Sequence, residues 1–333
     1  LSHKDVNKIL KIENSDIKSN TNINDQGIIE DFKGSYDLHI NEILNLKHVN
    51  SDIIRKKRFK IVVDGINSSG GIIIPKLLGA LNVEVIKINC IPDGNFAHDP
   101  EPLDKNLDQL KEEVLKSNSD LGIAVDPDVD RLVFVSENGE TISEENTLIS
   151  CADYILSKEK GSAVSNLSSS MGLRDVCKMY GVEYFSSMVG EINVVEKMKS
   201  VNAIIGGEGN GGIIYPESHY GRDALVGIGL LLTSLALKNK TISELFEKLP
   251  KYHMLKEKIK IDNDLDFIHI KNKLKSTFHN FSFNEIDGLK IENNSSWVHV
   301  RKSNTEPIIR IYIESKNKQD SKALFTAVRK ALS

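Results

Sequence analysis

Hydrophobic and polar positions follow one another along the chain in blocks that predict alternating strands and helices. Between residues 59 and 126, short β-branched runs such as "KIVVD" and "GIAVD" are separated by helical segments such as "PLDKNLDQLKEEVLKS". A second block with the same alternation begins near Ile142 and ends with the apolar run "ALVGIGLLLTSLAL" and the segment "TISELFEKLPKY". This texture predicts two consecutive α/β domains with mixed, mostly parallel sheets and covering helices.

The pattern changes near residue 256. The segments "EKIKI", "LKIEN", "SWVHVRKS" and "IIRIYIES" resemble strands, and helical spacing is found at 264–276 and 320–332. In the last helix Leu324, Val328 and Leu332 recur at four-residue steps, the period of a buried stripe. We therefore predict a C-terminal α+β domain at 256–333, after α/β domains at 37–141 and 142–255.

Composition limits the possible partners and the compartment. The net charge of −4 gives no general attraction to nucleic acid or to an anionic membrane. The longest apolar run, 224–237, is shorter than the roughly 20 residues that span a bilayer, so we expect a buried helix there. Cys90, Cys151 and Cys177 are widely spaced without a metal-ligand pattern, which favours buried thiols in a reducing, cytoplasmic compartment.

Three aspartates stand at alternate positions in "IAVDPDVDRLVF", residues 123–134, between two apolar runs. Alternate positions of an extended loop face the same way, so Asp126, Asp128 and Asp130 are expected to converge. Converging carboxylates repel one another, and a hard divalent cation removes that repulsion. The pattern favours Mg²⁺ before Ca²⁺ if a phosphate completes the ligand set, whereas the plainer alternative is a solvated acidic turn.

An EF-hand is a rival interpretation of the same aspartates, because Glu137 stands at loop position twelve. Arg131 occupies position six, where the EF-hand loop needs glycine. The following "LVFV" also resembles a strand rather than the start of a helix. Both features argue against the EF-hand.

Two further segments offer polar groups suited to a ligand, one to sugar hydroxyls and the other to phosphate. In "GGEGNGG", residues 206–212, the glycines permit close approach of the backbone, and Glu208 and Asn210 suit sugar hydroxyls. These glycines lead into "IIYP" rather than into a helix, which argues against a dinucleotide site. In "RKSNTEPIIRIY", residues 301–312, two arginines match phosphate oxygens and a polar turn adds donors. The plainer alternatives are a Gly-rich turn and a polar β-turn.

Together the three segments resemble the α-D-phosphohexomutase superfamily, which includes phosphoglucomutase, phosphomannomutase and phosphoglucosamine mutase. That family's D-x-D-x-D-R metal loop, G-E-x-S/N-G sugar loop and R-x-S-x-T-E-P-x-x-R phosphate loop occur here in the same order. "DGNFAHDPEP", residues 93–102, is similar to its second domain. "GGEGNGGIIYP" with "YGRDA" is more similar to the phosphoglucosamine mutase branch of archaea and Bacteroidetes than to other branches.

The resemblance implies an intramolecular phosphotransfer between hexose 6-phosphate and 1-phosphate, through a phosphoserine and a bisphosphate intermediate. It implies Mg²⁺ as the cofactor, a hexose or hexosamine phosphate as the substrate, and a monomer or homodimer. The implied metal ligands are Asp126, Asp128 and Asp130, with Arg131 assisting catalysis; the sugar contacts are Glu208, Asn210 and Gly211; the phosphate contacts are Arg301, Ser303, Asn304, Thr305 and Arg310.

The sequence departs from the family pattern in two places. Gly212 stands where many members have histidine, so one sugar contact is missing or supplied elsewhere. The family's phosphoserine segment, of the T-A-S-H-N-P type, has no match here. We therefore expect residues 1–36 to be a remnant of the first domain and expect no catalytic serine in this chain.

The most specific expectation is a phosphohexomutase acting on glucosamine 6-phosphate, whose present chain is inactive alone. The alternatives are a phosphomannomutase or phosphoglucomutase, and a non-catalytic sugar-phosphate-binding protein. One sugar carbon distinguishes the hexoses, and the sequence does not decide among them.

Overall fold

The computed structural model describes residues 3–13, 27–260, 266–302 and 307–332. It divides into two units, Leu1–His39 and Ile40–Ser333, each described by itself. In the first unit, α1 (His3–Glu13) is an amphipathic helix, and α2 (Ser35–Leu44) spans the boundary between the units. The predicted remnant at 1–36 is described only in part, because residues 14–26 lie outside the described residues, and it stays a prediction.

The second unit begins with a five-stranded mixed sheet. Its elements are α3 (Ser51–Lys57), β1 (Lys60–Asp64), α4 (Gly70–Ala80), β2 (Glu84–Ile88), α5 (Asp108–Ser117), β3 (Leu121–Val125), β4 (Leu132–Ser136) and β5 (Thr141–Ile142). The order is β2-β1-β3-β4-β5. Strands β2, β1 and β3 are parallel, and β4 and β5 return antiparallel. The helix predicted from residue 102 begins only at Asp108, because a 3-10 turn at Asp104–Asn106 precedes it.

A four-stranded sheet follows. Its elements are α6 (Glu144–Lys158), β6 (Ala163–Asn166), α7 (Gly172–Tyr180), β7 (Tyr184–Ser187), α8 (Glu191–Val201), β8 (Ile205–Glu208), β9 (Gly212–Ile214), α9 (Ala224–Lys238) and α10 (Ile242–Glu247). The order is β7-β6-β8-β9, with the β8–β9 pair antiparallel. The glycines at 206–212 lie in the β8–β9 hairpin, in its turn and in the strand ends beside it.

The apolar run at 224–237 forms the buried helix that the sequence predicted. Asp223 caps α9 by accepting the backbone N–H of Leu225 at 2.8 Å. Almost every residue of this helix is buried, in one core cluster that the two α/β sheets share. Within the described ranges, no helix combines the length and the apolar character that crossing a membrane requires.

The last sheet is antiparallel and is covered by helices on one face. Its elements are β10 (His253–Lys260), α11 (Phe267–Thr277), β11 (Ser282–Asn284), β12 (Leu289–Glu292), β13 (Ser296–Lys302), β14 (Ile308–Ser315) and α12 (Lys318–Leu332). The strand order is β10-β14-β13-β12-β11. Val300 and Ile311 pack with Leu274 and Val328 in a core separate from the first one. This is the predicted α+β domain, although β10 begins at His253, before the predicted boundary at 256.

The three cysteines are free thiols. Cys151 and Cys177 are buried, and burial raises the pKa of each thiol to about 12. Cys90 is only partly buried. The prediction of buried thiols is thus confirmed for Cys151 and Cys177 and only in part for Cys90.

Candidate functional site

The aspartate segment joins β3 to β4 in an antiparallel connection. One carboxylate oxygen from each of Asp126, Asp128 and Asp130 lies within 4.8 Å of the others. The three side chains therefore converge, as the sequence predicted. We call residues 126–131 the metal loop, after the role that the family resemblance implies for them.

The convergence arises from a turn rather than from extended alternation. Val129 has a φ of +63°, an uncommon conformation for a β-branched residue. Asp126 Oδ1 accepts the backbone N–H groups of Asp130 at 3.1 Å and of Arg131 at 3.0 Å. The carboxylate of Asp126 thus organises the turn that brings Asp130 back towards it.

Two neighbouring elements hold the metal loop in place. The hydroxyls of Ser68 and Ser69 both donate to the carbonyl of Pro127, at 2.8 Å and 2.6 Å. The backbone N–H of Ala224, at the start of α9, donates to the carbonyl of Val129 at 3.1 Å. The metal loop is therefore held by hydrogen bonds from the turn before α4 and from the first residue of α9.

The metal loop has the donor set and the electrostatics of a cation site. Burial raises the pKa of Asp126 to about 7 and also raises that of Asp130. Asp130 Oδ1 is buried and has no hydrogen-bond partner among the described residues, although Arg131 Nε lies 3.7 Å away. A cation at this position would satisfy that oxygen and favour the ionised carboxylates, so the loop fits Mg²⁺.

The EF-hand interpretation finds no support in the geometry. Strand β4 follows the loop, as the sequence predicted. Glu137 accepts hydrogen bonds from the backbone N–H and the hydroxyl of Ser243, and it is absent from the converging group. Its carboxylate serves the start of α10 instead.

The hairpin β8–β9 contains the second predicted segment, and we call residues 207–212 the sugar loop. Glu208 is buried, and its Oε1 accepts from Asn166 Nδ2 at 2.7 Å and from the backbone N–H of Gly190 at 3.1 Å. Asn210 Oδ1 accepts the backbone N–H of Gly212 at 3.1 Å. These contacts fix the direction of the Glu208 carboxylate before any ligand arrives.

Gly211 places the sugar loop directly beside the metal loop. Its φ is +90°, and its carbonyl accepts the backbone N–H of Leu132, the first residue of β4, at 3.1 Å. A Cβ at residue 211 would lie 2.7 Å from the Leu132 carbonyl oxygen. Only glycine permits this approach, which brings the two loops together.

An ion pair between a buried glutamate and a partly exposed lysine supports the sugar loop from the C-terminal sheet. Lys256 Nζ, on β10, lies 3.0 Å from Glu145 Oε1 and donates to the carbonyl of Gly209 at 3.2 Å. Glu145 Oε2 accepts the backbone N–H of Ser170 at 2.9 Å. Burial raises the pKa of Glu145 and the ammonium of Lys256 opposes that rise. Sequence reasoning missed both residues, because each lies far in the sequence from the loop it supports.

The arginines of the third segment face each other across two strands. Arg301 on β13 pairs in register with Arg310 on β14, and Lys258 of β10 is the next neighbour of Arg310. Directly opposed residues share one face of a sheet, and like charges there repel unless an anion joins them. The remaining predicted phosphate contacts, Ser303, Asn304 and Thr305, lie outside the described residues.

Asp287 connects the arginine row to the sugar loop. Arg301 Nη1 lies 3.4 Å from Asp287 Oδ2, and the same oxygen accepts the backbone N–H of Val189 at 3.0 Å. The next N–H, that of Gly190, is the one that donates to Glu208. Two consecutive backbone donors therefore bridge the phosphate and sugar segments.

Arg222 connects the sugar loop to the metal loop. Its Nη1 donates to Glu208 Oε2 at 3.0 Å, and its Nη2 is hydrogen-bonded to Asp130 Oδ2. Sequence analysis assigned no function to Arg222, which stands within "YGRDA". The sequence feature that could have identified Arg222 is its position directly before Asp223, which caps the mostly apolar helix α9.

The buried side chain of His299 connects the C-terminal sheet to the turn after β6 through hydrogen bonds. Its Nε2 lies 2.6 Å from the carbonyl of Asp287, and its Nδ1 lies 2.8 Å from Ser168 Oγ. Because a carbonyl oxygen only accepts, Nε2 carries the hydrogen and Nδ1 accepts from the serine hydroxyl. This neutral form agrees with the pKa of His299, which burial lowers to about 4.

We expect acid to destabilise the protein through His299. The unfolded chain binds a proton near the ordinary pKa of 6.5, whereas the folded chain does so only near 4, so stability falls as the pH drops between these values. Between about pH 7.5 and about pH 5, His299→Gln should lose about 2 kcal/mol less stability than the parent. Urea unfolding at both pH values measures the difference. His269→Gln, at an exposed position on α11, should behave like the parent, and equal acid losses in the parent and His299→Gln would contradict the prediction.

Comparison with known protein families accounts for nearly the whole second unit. Three models of the phosphoglucomutase/phosphomannomutase family match: alpha/beta/alpha domain II at residues 37–139, alpha/beta/alpha domain III at 143–252, and the C-terminal domain at 255–331. The chain belongs to the phosphoglucomutase/phosphomannomutase family. The matched domains include both the α/β architecture and the C-terminal domain that the resemblance implied.

Curated relatives match at substantial identity but are longer. A phosphoglucomutase/phosphomannomutase of Thermococcus kodakarensis is 36% identical over 276 residues, which are 82% of this chain and 60% of that protein. A phosphoglucosamine/phosphogalactosamine mutase of Sulfurisphaera tokodaii is 34% identical over 301 residues, 88% of this chain and 65% of that protein. This chain thus spans about three fifths of the length of the first of these relatives.

Solved structures share the fold at low identity. A phosphoglucomutase/phosphomannomutase family protein of Burkholderia thailandensis matches with a TM-score of 0.77 at 24% identity, covering 89% of this chain and 64% of that one. An N-acetylphosphoglucosamine mutase of Aspergillus fumigatus, in complex with GlcNAc-6P and magnesium, matches with a TM-score of 0.62 at 14% identity, covering 90% and 69%. At these identities the likeness shows the fold alone.

Proposed function

We propose that this chain provides the cation, sugar and phosphate subsites of an enzyme that interconverts glucosamine 6-phosphate and glucosamine 1-phosphate. One observation carries the proposal. A continuous series of contacts runs from Asp130 through Arg222 to Glu208, and onward through Gly190, Val189 and Asp287 to Arg301. Groups suited to a divalent cation, a sugar hydroxyl and a phosphate are therefore held in fixed relation, as a sugar phosphate requires.

At one end of this series the metal loop would hold Mg²⁺. Asp126, Asp128 and Asp130 are the proposed ligands, and the Aspergillus fumigatus neighbour is a complex with magnesium. When bound, the ion supplies positive charge to a phosphoryl group in transfer. Arg131, whose Nε lies 3.4 Å from Asp126 Oδ2, is the proposed second source of that charge.

At the other end, the remaining subsites would orient the sugar phosphate. Glu208, with Asn210 and Gly211, would hold hydroxyl groups, because a carboxylate with its directions already fixed accepts them at little further entropic cost. Arg301 and Arg310 would hold the phosphate that is not reacting. Ser303, Asn304 and Thr305, which lie outside the described residues, are proposed to contribute donors to the same phosphate.

The proposed reaction is a double phosphoryl transfer. A phosphoserine gives its phosphoryl group to the free 1- or 6-oxygen of the sugar monophosphate, and the serine oxygen takes up the hydroxyl proton. The resulting bisphosphate reorients, and its other phosphoryl group returns to the serine, which restores the donor. No residue of this sequence is assigned as that serine, so the chain alone is expected to bind without turnover.

The identity of the sugar is the most specific part of the proposal. Glucosamine is favoured by the likeness of the sugar loop to the phosphoglucosamine mutase branch and by the name of the Sulfurisphaera tokodaii relative. Glucose and mannose phosphates are the alternative, in keeping with the name of the Thermococcus kodakarensis relative. The assignment to domains at 37–141, 142–255 and 256–333, a cytoplasmic location and a monomeric or homodimeric state remain predictions.

Calorimetric titration tests the proposal directly. With Mg²⁺ present, we expect glucosamine 6-phosphate and glucosamine 1-phosphate to bind at one site and to compete, because a mutase site must accept both orientations. Competition among the 6-phosphates of glucosamine, glucose and mannose then ranks the sugars. Failure of either glucosamine isomer to bind would refute the mutase proposal. Binding of only the 6-phosphate would favour a non-catalytic binding protein.

A further inference from the structure

At Gly212, the side chain of Arg222 lies where a side chain at position 212 would have to lie. An ideal Cβ at residue 212 would lie 2.3 Å from Arg222 Cδ and 3.1 Å from Asn210 Oδ1. No side chain fits at position 212 while Arg222 keeps its conformation, since Cβ atoms do not approach carbon so closely. The stem of Arg222 thus occupies the volume into which a side chain at 212 would project.

The head group of Arg222 lies among three carboxylates. Besides its bonds to Asp130 and Glu208, its Nε lies 3.4 Å from Glu191 Oε2, and its own backbone N–H donates to Glu191 Oε1 at 2.9 Å. The side chain of Arg222 is only 13% exposed, and those of Glu208 and Asp130 are 8% and 18% exposed. So deeply placed, these charges interact strongly, and the planar guanidinium can serve two carboxylates at once.

We propose that Arg222 is a positioning residue that couples the cation site to the sugar site. It ties Asp130, a proposed cation ligand, to Glu208, a proposed sugar contact. A cation on Asp130 draws away part of the negative charge that holds Arg222, which frees donor capacity of the guanidinium for the sugar phosphate. Coupling of this kind is reciprocal, so each ligand should strengthen the binding of the other. The inference rests on the proposed function and adds to it the residue that links two subsites.

The test uses the 333-residue chain with Mn²⁺ as the cation probe and glucosamine 6-phosphate as the sugar probe. Paramagnetic resonance reports free Mn²⁺, and calorimetry reports the sugar phosphate with and without Mn²⁺. In the parent we expect Mn²⁺ to strengthen sugar-phosphate binding by about tenfold. In Arg222→Met we expect that enhancement to fall to about twofold or less while Mn²⁺ still binds, because Asp130 loses its competing partner.

Two controls separate coupling from general damage. Arg55→Met removes an arginine of α3 that is ion-paired to Asp52, and it should leave the enhancement unchanged. Arg222→Lys keeps the charge but pairs with one carboxylate at a time, so it should restore stability without restoring the full enhancement. If Arg222→Met fails to fold, Arg222→Lys alone tests the proposal. A Mn²⁺-dependent enhancement of sugar-phosphate binding in Arg222→Lys as large as in the parent would then overturn the proposal.

A double-variant cycle tests the shared volume independently. Gly212→His alone should destabilise the protein, and so should Arg222→Ala alone. The combined variant should lose less stability than the sum of the two single losses. The imidazole introduced at position 212 can occupy the space that the shortened side chain at position 222 leaves. Strictly additive losses would show that positions 212 and 222 do not share one volume.

The outcomes distinguish this inference from the proposed function. If the parent binds neither Mn²⁺ nor glucosamine 6-phosphate, the proposed function fails. If the parent binds both and Arg222→Met keeps the parental enhancement, the proposed function stands and the coupling by Arg222 is refuted.

Discussion

Asp128→Asn should lower the affinity of the chain for Mn²⁺ or Mg²⁺ by about tenfold or more while leaving the fold intact. Asp126 organises the turn through two backbone hydrogen bonds, and Asp130 is tied to Arg222. Asp128 is exposed, so it is the proposed ligand whose change costs the least structure. Removing its charge also relieves repulsion between the three carboxylates.

We therefore expect added Mg²⁺ to reverse the order of the melting temperatures of the parent and Asp128→Asn. Without added cation, Asp128→Asn should melt at or slightly above the parent temperature. With Mg²⁺ in excess, the parent should gain stability by mass action and the variant should gain much less. Asp52→Asn, a change at an 82% exposed side chain on α3, should gain as much as the parent. An equal Mg²⁺-dependent gain in the parent and Asp128→Asn would show that the cation binds elsewhere.

Gly207→Ala should destabilise the protein by about 3 kcal/mol or more. Gly207 has a φ of +153°, and a Cβ there would lie 2.0 Å from the carbonyl oxygen of Gly212. The obstacle is backbone on the paired strand, which cannot move aside as a flexible side chain would. Because Glu208 follows directly, the substitution should also weaken sugar-phosphate binding.

Gly79→Ala provides the matched control. It lies in helix α4, where an added Cβ meets nothing within 4 Å, so the change should stabilise the protein by up to about 1 kcal/mol. Denaturant unfolding of both variants measures the contrast. If Gly207→Ala were as stable as Gly79→Ala, the hairpin would have to adopt another conformation than the one described.

Local periodicity predicted most of the secondary structure correctly, because each helix and strand buries its own face. The four-residue steps of α12 became the packed face of an amphipathic helix, with Val328 buried and Leu324 and Leu332 partly buried. The apolar run of α9 became a buried helix. Element boundaries were less certain where two tendencies compete, as at α5, where the chain first forms a 3-10 turn. The division into domains at 141/142 and 255/256 is still a prediction.

The candidate site was predictable only where its residues are close in sequence. The three aspartates lie within five residues, and the structure brings them together. Their convergence nevertheless depends on the turn at Val129, not on the extended alternation that the sequence favoured. The roles of all the proposed site residues await the experiments above.

The sequence by itself determined the order of α/β, α/β and α+β regions, the family resemblance and the three polar segments. Only the tertiary structure decided that Arg222 joins Asp130 to Glu208, that Lys256 supports Gly209, and that Asp287 connects Arg301 to the sugar loop. The physical reason is the separation along the chain between the residues that interact. Hydrophobic periodicity is a property of one helix or strand, whereas these contacts join residues from different strands and loops. Which of those lie side by side depends on how the sheets stack, and no local pattern encodes that.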